Sequence, residues 1–391
     1  CIRPTRSVST LAKDLELANK FSTSPRPLSL VPPRALASSS VLFTMSSSDF
    51  STGTNPGADG GSGLLSLALP WLWNAGAAVV GIAAVVAGLL YVKQDSLLYY
   101  PEIGGIPRRP SQNPRRYRSP DEHQVPFETH MIRCEDGVRI HSWLMLRKPQ
   151  PTGKTPTIVF FHGNAGNIGL RLPNALQMLQ YLDAHVLLVE YRGYGDSDDA
   201  QVNEAGMKLD AEAALQFIRG RVDGPIFLFG RSLGGSVAFH LAQYAENKGI
   251  PIAGVIVENT FLSIAAMVDT LMPLVAPFKA LILRIGWRSD LIVPHLTSPV
   301  LYLAGARDEL VPHSHMVELY KNTNKSRYLK MHIIENGTHN ESWLQGGTDY
   351  WAAIKEFMNE ARQGSDENAN PPTSGASTTQ QASQAPHTVE K

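Results

Sequence analysis

The sequence predicts an α/β fold: a mostly parallel central sheet with helices on both faces and a small helical cap. Three observations predict it. From about residue 125 to 362, apolar β-branched runs alternate with amphipathic stretches, the pattern of consecutive βαβ units. A Gly-x-Ser-x-Gly pentapeptide stands between one such run and the next amphipathic stretch. Ahead of both, Leu64 to Val92 contains no charged residue.

Composition bounds the function classes. The chain has 391 residues, 43% hydrophobic and 18% charged, with Lys+Arg 35 against Asp+Glu 35. That balance excludes the basic excess of a nucleic-acid binder. Charged content below the usual roughly 25% points to a segment that avoids water. The two cysteines, Cys1 and Cys134, exclude a disulfide framework and a thiolate metal cluster.

The elements follow in order. Residues 1–63 are rich in Ser, Thr, Pro, Gly and Ala and are expected to be disordered, because they bury too little apolar surface to offset ordering entropy. Translation from Met45 is an alternative start. Residues 64–93 form the expected transmembrane anchor, since about 20 apolar residues cross a bilayer. Trp71 and Trp73 suit one interface, and Tyr91, Tyr99 and Tyr100 the other. A secretory signal would carry a basic flank ahead of the apolar run, and the nearest upstream charges here are Asp49 and Asp59. Lys93, Arg108, Arg109, Arg115, Arg116 and Arg118 all follow the span, which places the C-terminal domain on the cytosolic side. Residues 94–124, rich in Pro and Arg over 101–120, read as a linker.

The α/β domain is expected over 125–362. His130–Cys134 and Val138–Leu146 flank Glu135-Asp136-Gly137, a hairpin signal. Further strands are expected at Thr157–Phe161, His185–Val189, Ile226–Phe229, Ile252–Val257, Val300–Leu303 and Tyr328–Ile334. Helices are expected at Leu170–Leu182, Glu204–Arg219 and Val237–Ala245. Residues 363–391 read as a disordered tail.

Chemistry concentrates at Gly230-Arg231-Ser232-Leu233-Gly234. A nucleophile elbow is a sharp strand-to-helix turn that lifts a serine from the sheet edge, with glycines (Gly230, Gly234) where a side chain would clash. The base and acid then follow in the order Ser, acid, His. His339, in Glu335-Asn336-Gly337-Thr338-His339 after the last strand, is the expected base. His240, His295, His313, His315, His332 and His387 fall in helices, loops, a strand or the tail. Asp308, after Val300–Leu303, is the expected acid; Glu309 and Glu258 are rivals. The oxyanion hole draws one backbone N–H from Leu233 and one from Asn164, in the His162-Gly163-Asn164-Ala165-Gly166-Asn167 loop. His162 is expected to pin that loop.

Other chemistries fit less well. Gly163-x-x-Gly166-x-x-Gly169 lacks the Gly-x-Gly start of a dinucleotide site, so no cofactor is expected. His313-x-His315 lacks a third ligand, so no metal is expected. An epoxide hydrolase or dehalogenase would place Asp where Ser232 stands.

Several runs together resemble a known family. Phe161-His162-Gly163-Asn164-Ala165-Gly166-Asn167-Ile168-Gly169, Glu190-Tyr191-Arg192-Gly193-Tyr194-Gly195, Phe229 to Gly235, Glu258-Asn259-Thr260-Phe261-Leu262-Ser263-Ile264 and Gly337-Thr338-His339-Asn340 resemble the fungal Bem-type (bud-emergence) alpha/beta hydrolases. They also resemble the animal alpha/beta-hydrolase domain-containing protein thirteen. The similarity runs in order over about residues 85–362. It implies an alpha/beta-hydrolase fold, a serine hydrolase with Ser232, Asp308 and His339 as triad, and an acyl ester or thioester of a lipid or protein as substrate. Glu190 departs from the expected Asp, and the N-terminus is long.

Residues 261–297 occupy the place of a cap and are strongly apolar, with Met267, Val268, Leu271, Met272, Leu274, Val275, Phe278, Leu281, Ile282 and Leu283. They either bury themselves on the core or form a lipid-facing gate. The leading reading is a single-pass membrane serine hydrolase, with the endoplasmic reticulum or another endomembrane as the expected location. The alternative is a membrane-associated scaffold or polarity factor on a hydrolase fold, because fold alone does not establish activity. Asn336-Gly337-Thr338 and Asn340-Glu341-Ser342 match the glycosylation pattern. A glycan at either would crowd His339, which favours a cytosolic domain. Substrate identity, organelle and oligomeric state are not legible.

Overall fold

A computed structural model of the chain describes residues 62–102, 104–147 and 154–369. The expected disorder of 1–61 and 370–391, and the Met45 start, lie outside the described residues. Helix α1 runs over Ser62–Leu98, longer at both ends than the expected anchor. Within it, Trp73–Leu98 is long and apolar enough to cross a membrane, its most apolar 18-residue window reaching a mean hydropathy of 2.3.

The stretch expected as a linker packs onto the domain instead. Tyr99, Ile106, Pro110, Asn113 and Tyr117 are buried. Asn113 Nδ2 donates to Tyr117 O and to Asn167 Oδ1, both at 2.8 Å, and Asn167 Nδ2 donates to Pro107 O at 3.0 Å. Composition misreads this segment because a few irregularly spaced apolar and amide side chains, rather than any periodic pattern, hold it down.

Eight strands form one sheet in the order β1-β2-β4-β3-β5-β6-β7-β8. β1 (Phe127–Arg133) and β2 (Arg139–Met145) make the Asp-Gly hairpin, with Arg133 opposite Arg139. β2 pairs antiparallel with β4 (His185–Val189). β3 (Thr157–Phe161), β4, β5 (Ile226–Arg231), β6 (Gly254–Glu258), β7 (Val300–Gly305) and β8 (Leu329–Ile334) run parallel. The central strands are buried throughout, as a parallel sheet covered on both faces requires. Alternation sorts their side chains: Val159 and Phe161 face one core, Ile158 and Phe160 the other.

Helices cover both faces: α2 (Leu172–Tyr181), α3 (Glu204–Arg219), α4 (Leu233–Asn247), then α5 (Ile264–Leu271), α6 (Lys279–Ile282) and α7 (Ser289–Ile292) between β6 and β7, α8 (His313–Asn322), α9 (Ser342–Gln345) and α10 (Gly347–Ala369). α3 matches its expected bounds because Asn203 caps it, accepting from Gly206 N at 2.8 Å. α4 starts four residues before the expected Val237, directly after Ser232, and α10 carries the chain to Ala369, past the expected end of the domain.

Candidate active site

The carboxyl ends of the parallel strands carry the site. β5 ends at Arg231 and α4 begins at Leu233, so Ser232 alone makes the turn. Its φ of 54° and ψ of −121° lie in a region L-residues avoid, at a cost of about 1–3 kcal/mol. The flanking glycines permit the bend. A Cβ on Gly230 would lie 2.1 Å from Gly234 O, and one on Gly234 2.1 Å from Phe161 O; both clashes are with backbone, which cannot swing aside.

The turn aims Ser232 Oγ at a histidine 107 residues downstream: His339 Nε2 stands 3.0 Å away. His339 Nδ1 lies 2.8 Å from Asp308 Oδ2 and 3.0 Å from Oδ1. Asp308 is itself held by Leu310 N and Val311 N, which donate to Oδ1 at 2.9 and 2.8 Å. A carboxylate only accepts, so Nδ1 carries the ring hydrogen and Nε2 of neutral His339 accepts from the serine hydroxyl. The structure thus brings Ser232, Asp308 and His339 into one hydrogen-bonded line. Such a line can deprotonate the serine as it attacks a carbonyl, with the carboxylate stabilising the imidazolium.

Leu233 N is the first helical N–H of α4, where no intrahelical acceptor exists and the helix dipole favours negative charge. The loop after β3 lies alongside, since a Cβ on Gly163 would sit 3.6 Å from Ser232 Cβ. Asn164 follows in that loop. His162 fixes it from beneath: Nδ1 lies 2.7 Å from Gly163 O and Nε2 3.2 Å from Glu190 Oε1. Glu190 Oε2 accepts from Ile168 N at 3.0 Å, and Tyr191 Oη donates to His162 O at 2.8 Å.

Four features escaped sequence reasoning. Glu258, a rival acid, points away from His339: it pairs with buried Arg231 at 2.9 Å and accepts from Tyr350 Oη at 2.8 Å. Glu309 takes a different part, accepting from His339 N at 3.1 Å. Asn259, at φ 49°, holds the histidine loop. Its Nδ2 shares two hydrogens among Thr338 O, His339 O and Ser342 Oγ at 3.0–3.1 Å, and its Oδ1 accepts from Gly305 N at 2.8 Å. An Asn at a strand's carboxyl end is a weak signal until the partners are seen.

The fourth feature is the end of α1. Leu98 O accepts from Asn164 Nδ2 at 3.0 Å. Tyr100 N donates to Asn164 O at 2.9 Å, and Gly166 N to Tyr100 O at 3.0 Å. No periodicity or motif announces this clamp.

Residues 158–359 match the model of the alpha/beta hydrolase family. The chain is 33% identical over 296 residues to the Bem46 protein of Schizosaccharomyces pombe, covering 73% of this chain and 92% of that one. It is 32% identical over 196 residues to the lysophosphatidylserine lipase ABHD12 of Danio rerio, covering 46% and 50%. The esterase Pf2001 of Pyrococcus furiosus shares the fold, with a TM-score of 0.52 at 17% identity over 68% of this chain and 97% of that one.

Proposed function

This chain belongs to the alpha/beta hydrolase family, in the branch that includes Bem46, and from that premise we propose a membrane-anchored serine hydrolase that cleaves carboxylic ester or thioester bonds. The observation that carries the reading is the 3.0 Å approach of His339 Nε2 to Ser232 Oγ, with Asp308 on the opposite ring nitrogen.

Ser232 Oγ attacks the substrate carbonyl while His339 takes its proton. The oxyanion develops toward the N–H groups of Leu233 and Asn164. Collapse breaks the ester or thioester bond, and His339 returns the proton to the departing alcohol or thiol. Water, deprotonated by the same imidazole, then attacks the acyl-Ser232 ester and releases a carboxylic acid. The lipid ester class is supported by the lipase relative's name and by the apolar cap; an acylated protein supplies the same acyl carbonyl. In this reading α1 is a single-pass anchor of an endomembrane, with the hydrolase on the cytosolic side.

A fluorophosphonate probe tests the core of it. The full-length protein should label, and Ser232→Ala should not; His339→Ala should label slower by several powers of ten. Equal labelling of wild type and Ser232→Ala removes Ser232 from the mechanism.

A further inference from the structure

The cap leaves much of its apolar surface in the open. Leu274 is 90% exposed and Leu281 81%, and Leu271, Met272 and Phe278 are exposed beside them. Contiguous apolar surface of this kind marks a contact, and its position relative to α1 identifies which one.

Depth along α1 can be counted. About 20 residues at 1.5 Å each fill the roughly 30 Å hydrocarbon core. Counted from Trp73, they end near Val92, leaving Tyr91 and exposed Lys93 at the interface. The next turn is where the cap attaches. Gln94 Nε2 donates to Ile282 O at 2.7 Å, and Gln94 Oε1 accepts from Arg284 N at 2.9 Å. Asp95 pairs with Arg284, and Trp287 Nε1 donates to Tyr99 Oη at 2.9 Å. The cap is therefore pinned at the depth of the lipid headgroups. Exposed Leu274, Phe278 and Leu281 lie within ten residues of those pins, close enough to reach the acyl region. A few residues beyond, Leu98 and Tyr100 hold the Asn164 loop beside Ser232, so the site lies at the bilayer end of the domain.

We infer that the cap face of Leu274, Phe278 and Leu281 inserts into the acyl region of the bilayer that holds α1, so that the Ser232 site takes its acyl chain laterally from the membrane. The hydrophobic effect drives the insertion, since these side chains otherwise stand in water. The inference rests on the anchored-hydrolase reading for its substrate, and the depth of the cap is measurable without turnover.

The test uses the full chain in phosphatidylcholine nanodiscs, in a Cys1→Ser background. Single variants Leu274→Cys, Leu281→Cys, Ala84→Cys in α1 and Lys248→Cys at the amino edge of the sheet are labelled with a nitrobenzoxadiazole dye. Chain-labelled doxyl lipid should quench the dye at 274, 281 and 84, with blue-shifted emission, and leave 248 bright. Quenching at 84 with none at 274 and 281 overturns the inference and spares the anchor. A blue shift at 274 and 281 without quenching means that protein covers the face, and likewise overturns it. No quenching at 84 ends the anchor reading and this one with it.

Discussion

At the residue scale, the Ser232–His339–Asp308 arrangement leans on a side chain outside it. Asn259 joins the end of β7, the His339 loop and Ser342 through four hydrogen-bonding partners of one amide. Losing it frees the loop that aims the imidazole, and misplacement by about 1 Å is worth roughly 10²-fold in rate. Asn259→Ala should lower kcat by that order while KM for a soluble short-chain ester holds. Asn259→Asp keeps the acceptor for Gly305 N but loses both donating hydrogens, so it should also lose turnover. A kcat equal to wild type in both variants would show that the loop is held elsewhere.

At the element scale, buried charge ties the hairpin to the parallel sheet. Arg192, after β4, pairs with Asp136 in the β1–β2 turn at 2.6 Å and with Asp210 of α3 at 2.8 Å. Arg192 and Asp210 are buried. Burial raises the Asp210 carboxyl from its ordinary value against the opposing pull of Arg192, so the carboxylate depends on its partner. Arg192→Ala strands that charge and should cost about 3–5 kcal/mol, read from the urea midpoint at constant m. Cys134 Sγ donates to Asp210 at 3.3 Å and stays a packing thiol, its pKa pushed up to about 12, first by burial and then by Asp210.

For the whole molecule, several histidines enter the fold neutral. Burial lowers His141 and His315 below the ordinary imidazole value. The unfolded chain therefore binds more protons than the folded one in mild acid. Their contribution is fully present above the unfolded value near 6.5 and is lost as pH falls from there toward the folded values. The melting temperature should drop steadily from pH 7 to 5, and His315→Asn should flatten that slope. An unchanged slope in the variant would show that His315 does not contribute. Helix α1 also ties the segment between β6 and β7 to the Asn164 loop, because it is hydrogen-bonded to both.

The order of strands and helices, the elbow at Ser232 and the ranks of Asp308 and His339 were legible in the sequence. Each is a local or ordinal property: hydrophobic period, two glycines around a serine, a carboxylate and an imidazole after successive strands. Tertiary structure decided what depends on distant pairs. It turned Glu258 toward Arg231, gave Asn259 its four partners and packed Tyr99, Ile106, Asn113 and Tyr117 onto the domain rather than leaving a tether. It also brought the end of α1 against both the cap and the Asn164 loop. Contacts of that kind join residues up to 193 positions apart, and no local pattern records them, because the chain between the partners is free to be any sequence that folds.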